Sequence, residues 1–159
     1  MKVVADSTSL IGLSQIGQLS LLRRLFGEVY IAKAVYTEVV EKGKGKTGSG
    51  EVRQADWIIV KGIKNGLAVS MLKTYLDPGE AESIVLASEI KADLLILDER
   101  NGREIAERQG IKIAGTAAIL KLGAEKGIIP DLKLALDKLQ ASGFRLSKGV
   151  YNICLGLEE

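Results

Sequence analysis

Lys2-Val3-Val4-Ala5-Asp6-Ser7-Thr8-Ser9-Leu10 sets an apolar run against an acid, three hydroxyls and the first residue of a helical pattern. The run is continuous rather than alternating, as expected of a strand buried on both faces of a parallel sheet. Ser7 or Ser9 then supplies a capping hydroxyl for a helix carrying Leu10, Leu13 and Ile16. Related patterns return along the chain. Leu94-Leu95-Ile96-Leu97 ends on Asp98, Glu38 follows Ala34-Val35-Tyr36-Thr37, and Glu80 and Glu82 open the segment Ile84-Val85-Leu86-Ala87. In an open parallel α/β sheet the carboxyl ends of strands and the adjoining helix starts line the ligand crevice, so these acids are expected to converge. Four or five carboxylates cannot share a crevice as bare anions; either some hold protons or divalent cations sit among them.

Working outward from that start, strands and helices alternate. After Gly17 a short helix is expected over residues 19–26, a strand over 28–31 and a helix over 32–42, where Glu38 lies beside the Val35 and Val39 stripe. Residues 41–50, rich in Gly and Lys and without periodicity, read as an exposed, mobile loop and the most basic stretch of the chain. A strand is expected over 57–63, an amphipathic segment over 67–76, and a turn at Asp77-Pro78-Gly79 leading into a helix over 80–91. Beyond the strand 94–97 come a helix over 101–109, a strand over 111–114, and helices over 116–126, 131–140 and 150–157. No internal repeat or dividing linker is visible, so residues 1–159 read as one domain, large enough to bury a sizeable core.

Composition narrows the chemistry. Lys and Arg number 22 against 20 Asp and Glu, a net charge of +2 that is too balanced for a dedicated polyanion binder, so nucleic-acid contact must come from local patches. Cys154 is the only cysteine and histidine is absent, which excludes disulfides, Cys/His zinc sites, Ser-His-Asp triads and imidazole acid–base chemistry. No G-x-G-x-x-G or P-loop pattern supports nucleotide binding. No apolar stretch reaches the ~20 residues of a membrane span, and the expectation is a soluble, cytoplasmic protein.

Each acid also has an ordinary role to fill. Asp6 and Asp98 suit helix caps, Glu38 a solvated helix face, and Glu80 and Glu82 the positive end of a helix macrodipole. Glu80 and Glu82 lie about 200° apart at ~100° per residue, so one ideal helix cannot aim both at one ion.

The joint pattern resembles the prokaryotic PIN domains, and within them the standalone VapC-like proteins that begin D-S-S/T-x-L-I. The matching segments are Asp6-Ser7-Thr8-Ser9-Leu10-Ile11, Ile16-Gly17-Gln18-Leu19, Ala34-Val35-Tyr36-Thr37-Glu38-Val39, and Leu76-Asp77-Pro78-Gly79-Glu80-Ala81-Glu82-Ser83-Ile84. Leu95-Ile96-Leu97-Asp98-Glu99-Arg100-Asn101-Gly102-Arg103 and Gly110-Ile111-Lys112-Ile113-Ala114-Gly115-Thr116 complete the set, in family order over about residues 1–125.

The resemblance implies a three-layer PIN-like α/β sandwich with a central parallel sheet flanked by helices. It also implies a single-stranded RNA endonuclease that uses Mg²⁺ or Mn²⁺ in an acidic quartet: Asp6, Glu38, Glu82 or Glu80, and Asp98. The third family acid is usually an aspartate at the helix start, where two glutamates compete here, with Glu82 favoured; Glu99 stands beside the fourth. Ser7 or Ser9 would assist, and Thr116 would approach from another strand end. Phosphodiester hydrolysis by hard cations needs no histidine and suits oxygen ligands. With only 4% aromatic residues, substrate positioning falls to cations near the crevice: Arg100, Arg103, Lys42, Lys44 and Lys46. The expected biology is the toxin half of a toxin–antitoxin pair, with RNA as substrate, a cognate antitoxin as partner and a homodimer or higher oligomer as the assembly. The competing reading is a non-catalytic PIN-fold RNA-binding or scaffold protein.

Overall fold

The structure, a computed structural model, describes residues 1–157. Its centre is a five-stranded, wholly parallel sheet in the order β3-β2-β1-β4-β5, formed by β1 (Val3–Ala5), β2 (Val29–Ala32), β3 (Ile58–Lys61), β4 (Leu94–Ile96) and β5 (Ile113–Ala114). The two apolar runs that end in aspartate are paired directly, Val3 with Leu94, Val4 with Leu95 and Ala5 with Ile96. All six of these residues are buried, which explains why neither strand alternates polar with apolar residues.

Strand order decides where a ligand can go. The chain runs outward from β1 through β2 to β3, then returns to the other side of β1 for β4 and β5. The switch point between β1 and β4 opens a crevice outside their carboxyl ends, where Asp6 and Asp98 emerge.

Among the described residues ten α-helices flank the sheet. α6 (Pro78–Glu89) lies against β1, β2 and β4 and packs with α3 (Lys33–Tyr36), α5 (Gly66–Leu72) and α7 (Arg100–Arg108). A second set comprises α1 (Ser7–Gln15), α8 (Thr116–Glu125), α9 (Leu132–Ala141) and α10 (Lys148–Cys154); α1 packs on α8 and α9, and α8 on α9 and α10. α2 (Ser20–Phe26) lies beside β2. Leu10, Leu13, Leu95, Leu97, Ile119, Leu120 and Leu136 are fully buried between these elements. Truncating any one of them to alanine costs about 2–5 kcal/mol, a large share of a domain's stability.

Two expectations for the first half are corrected. Residues 32–42 do not form one α-helix: α3 passes at Thr37 into a π-helical turn, Thr37–Glu41, that carries Glu38. Wider turns of this kind are rare and favour functional positions. The Gly/Lys loop is also shorter than expected, because Gly48 and Ser49 are buried and open α4 (Ser49–Gln54), anchored by the Ser49 hydroxyl donating to the Val40 carbonyl at 2.8 Å. Among the described residues no helix is long and apolar enough to cross a membrane.

Candidate metal centre

Asp6 follows β1 directly and stands at the N-terminus of α1, yet its side chain caps nothing. It is 3% exposed, and its Oδ1 is buried without a hydrogen-bond partner. A buried carboxylate in that condition is costly unless it holds a proton or meets a cation. Burial, followed by the carboxylates of Asp77, Glu80 and Glu38, raises its pKa from 3.8 to about 7, while the Ser7 amide opposes the shift.

The start of α6 brings the partners. Asp77 and Glu80 form a capping box in which Asp77 Oδ1 accepts from the Glu80 amide at 2.8 Å and Glu80 Oε1 accepts from the Asp77 amide at 3.1 Å, with Pro78 in the first helical turn. Between them, Gly79 leaves a space. A methyl group on its Cα would lie 3.3 Å from Glu38 Oε1 and 3.5 Å from both Asp6 Oδ1 and Asp77 Oδ1. Any two of these oxygens are therefore within about 7 Å of each other, a span that ligands and retained waters around hard cations can bridge. Among the described residues no three acids are drawn to direct coordination distance of a common point. Sites for Mg²⁺ do not require this, because the ion keeps several waters between itself and the protein.

Electrostatics define the same group. Burial raises the pKa of Glu80 to about 7, helped by Asp77, Glu99 and Glu38 and opposed by the Asp77 amide. Glu38 is raised by partial burial and by Asp77; the Ser7 hydroxyl and Lys42 pull it back. That hydroxyl is itself buried and lies beside the Glu38 carboxylate. Hard oxygens, a buried carboxylate oxygen without a partner and a space kept open by glycine together fit a divalent cation.

The structure thus gathers Asp6, Glu38, Asp77 and Glu80, with Glu99 close enough to Glu80 to raise its pKa. Glu99 is also engaged locally, accepting from the Gly102 amide at 2.6 Å as the cap of α7. Glu82, the glutamate favoured from sequence, points elsewhere: its Oε1 accepts from the Ala34 amide at 3.1 Å and serves the first turn of α3. Asp98 does not join the group as it stands. Its two oxygens accept from the Thr116 amide at 2.8 Å and the Thr116 hydroxyl at 2.6 Å, beside Arg103; burial raises its pKa and these three groups restrain the rise. The Ser9 hydroxyl is taken by the Asp6 carbonyl at 2.9 Å, and Arg100 is exposed in a pair with Glu104 at 3.6 Å. Asp77 and Gly79 were not recognised as site residues from sequence, where they read as a turn. The available signal was an aspartate at a helix cap followed two residues later by a glycine inside the first turn.

A switch-point crevice between two central parallel strands, lined by carboxylates from the end of β1, the π-helical turn and the start of α6, defines an α/β protein with an acidic site. The chain belongs to a PIN-domain family: the family model described as DUF3368: PIN domain matches residues 2–158. PIN domains are a nuclease fold family whose members generally use divalent metals. Among solved structures, a PilT N-terminus domain protein, SSO1118, from the hyperthermophilic archaeon Sulfolobus solfataricus P2 is similar in fold. Its TM-score is 0.51 and its identity 19%, over 75% of this chain and 90% of that one. No curated protein matches the chain.

Proposed function

We propose that this chain, acting as a single domain over residues 1–159, is a divalent-cation-dependent endonuclease that hydrolyses single-stranded RNA. The observation that carries the reading is the set of carboxylate oxygens from Asp6, Glu38 and Asp77 around Gly79, with Asp6 Oδ1 buried and unpartnered.

Asp6, Glu38, Asp77 and Glu80 are the residues that would hold Mg²⁺ or Mn²⁺. When bound, such a cation supplies charge neutralisation for the phosphoryl oxygens and lowers the pKa of a water. The chain's own groups do the rest. Sequence-distant β1, the π-helical turn and α6 fix the acids before substrate arrives, so little reorganisation is left for the reaction. Ser7 Oγ, buried beside Glu38, orients a water or a phosphoryl oxygen. Asp98 acts as a positioning residue, holding the first turn of α8 through Thr116 and steadying Arg103 near the crevice. In the reaction the water oxygen forms a bond to phosphorus, the bridging P–O bond breaks, and the leaving oxygen takes a proton.

The VapC-like motifs support a toxin role with a protein antitoxin as partner. Val150 and Ile153, exposed on one side of α10, favour self-association through that helix. The test is cleavage of a labelled single-stranded RNA. Wild type should cleave with Mn²⁺, stop in EDTA and resume on adding Mn²⁺, whereas Asp6→Asn should stay inactive throughout. Wild type that binds the RNA but leaves it intact in Mn²⁺ would establish the non-catalytic scaffold reading instead.

A further inference from the structure

The most basic stretch of the chain, residues 42–46, is not used by the chemistry above, and it forms a wall between two cavities. One, about 610 Å³, is lined by Glu38, Lys42, Lys46 and Thr47, so it opens beside an acid of the cluster. The other, about 690 Å³, is lined by Tyr36, Lys44, Lys46, Ser49 and Arg53. Gly45 and Lys46 border both, so the cavities adjoin at this loop, and a strand crossing it would follow a path from Glu38 toward Arg53.

Three observations separate this path from ordinary solubilising charge. Lys42, Lys44, Lys46 and Arg53 are exposed, and among the described residues none takes part in an ion pair. The neighbouring acids are engaged locally: Glu41, which also lines the second cavity, accepts from the Thr37 hydroxyl at 3.0 Å, and Glu51 accepts from the Gly48 amide at 3.2 Å. The backbone that displays the cations is tied down as well. The Lys46 amide donates to the Gly43 carbonyl at 2.8 Å, a side chain at Gly43 would run into the Val39 carbonyl, and Gly45 and Gly48 adopt φ of +85° and +103° that other residues rarely take.

We propose that Lys42, Lys44, Lys46 and Arg53 form a subsite that tracks the phosphate backbone of a single RNA strand as it leaves the acidic cluster, with the ring of Tyr36 available to a base. Cations along a groove with one aromatic face suit a strand read through its charge and stacking rather than its sequence. This assignment rests on the nuclease reading, and it gives the bound strand a defined side of exit, toward α4.

The test uses fluorescence anisotropy of single-stranded RNAs of about 4 and about 12 nucleotides, in EDTA so that they remain intact. Lys44→Gln/Lys46→Gln/Arg53→Gln should weaken the longer RNA about tenfold or more and flatten its log–log salt slope by about 2, since each lost contact to a single strand removes about 0.7. The short RNA should be far less affected and the melting temperature unchanged. Lys112→Gln/Lys126→Gln/Lys138→Gln, equal in charge loss but away from the path, should leave the slope alone. Equal affinity and slope in the first triple variant and wild type, or equal losses in the two triple variants, would overturn the subsite. Mn²⁺-dependent cleavage by wild type is measured in parallel: failure there sinks the nuclease reading, whereas the variant comparison decides the subsite by itself.

Discussion

Replacing Asp6 by asparagine should make the cation-free protein more stable at neutral pH while removing its response to Mn²⁺. The carboxylate is 3% exposed, and burial with three neighbouring acids lifts its pKa from 3.8 to about 7. Because the native state holds this proton more tightly than the unfolded chain, wild type loses stability as pH rises from about 4 to about 7 and is flat above that. About three pKa units at ~1.4 kcal/mol each give on the order of 4 kcal/mol of strain at pH 8. Asparagine removes the charge and keeps the shape, and its amide can donate to the surrounding acids; imperfect hydrogen bonding returns about 1 kcal/mol of the gain. The net of about 3 kcal/mol corresponds to a melting temperature about 6–12 °C higher for a chain of this size. Thermal melts in EDTA from pH 4.5 to pH 8 measure it. A wild type whose stability is flat across that range, with an asparagine variant no more stable at pH 8, would refute the account of Asp6 as a charge awaiting a cation.

Further outcomes follow from the same contacts. Gly79→Ala should place a methyl among the carboxylates of Asp6, Glu38 and Asp77 and weaken Mn²⁺ binding, measured calorimetrically, at least about tenfold (~1.4 kcal/mol); unchanged affinity would show that the space over Gly79 is not used. Glu80→Gln should abolish the Mn²⁺-induced rise in melting temperature, whereas Glu82→Ala should keep that rise and lose about 1 kcal/mol through the orphaned Ala34 amide; the reverse pattern would restore Glu82 as the ligand. Thr116→Val removes the 2.6 Å hydrogen bond to Asp98 and should cost about 1–3 kcal/mol in urea unfolding at pH 7, with a cost near zero contradicting its role.

The parallel sheet and its crevice were legible because β1 and β4 announce themselves: each is a wholly apolar run that ends on an acid, and the structure pairs them side by side. Helix geometry separates the two glutamates of α6, and the structure turns Glu80 toward the Asp77 amide and Glu82 toward the Ala34 amide. α6 is buried from Gly79 to Ala87 except at Glu82, so no polar stripe fixes its rotation from sequence; contacts with β1, β2 and β4 do. Asp77 was hidden by its second role, since a residue that caps a helix so well leaves no need for another explanation. The position of Asp98 depends on Thr116, 18 residues away, whose amide and hydroxyl each hold one oxygen of the carboxylate. α4 was missed because a Gly-rich approach masks the start of a short helix whose anchor, the Val40 carbonyl, is nonlocal.

The most direct test is anomalous diffraction from a crystal soaked in Mn²⁺. The account predicts Mn²⁺ density in contact, direct or through ordered water, with Asp6, Glu38, Asp77 and Glu80, at metal–oxygen distances of about 2.0–2.2 Å where contact is direct. Density confined to Asp98 and Glu99, or none at the four acids at saturating Mn²⁺, would contradict it.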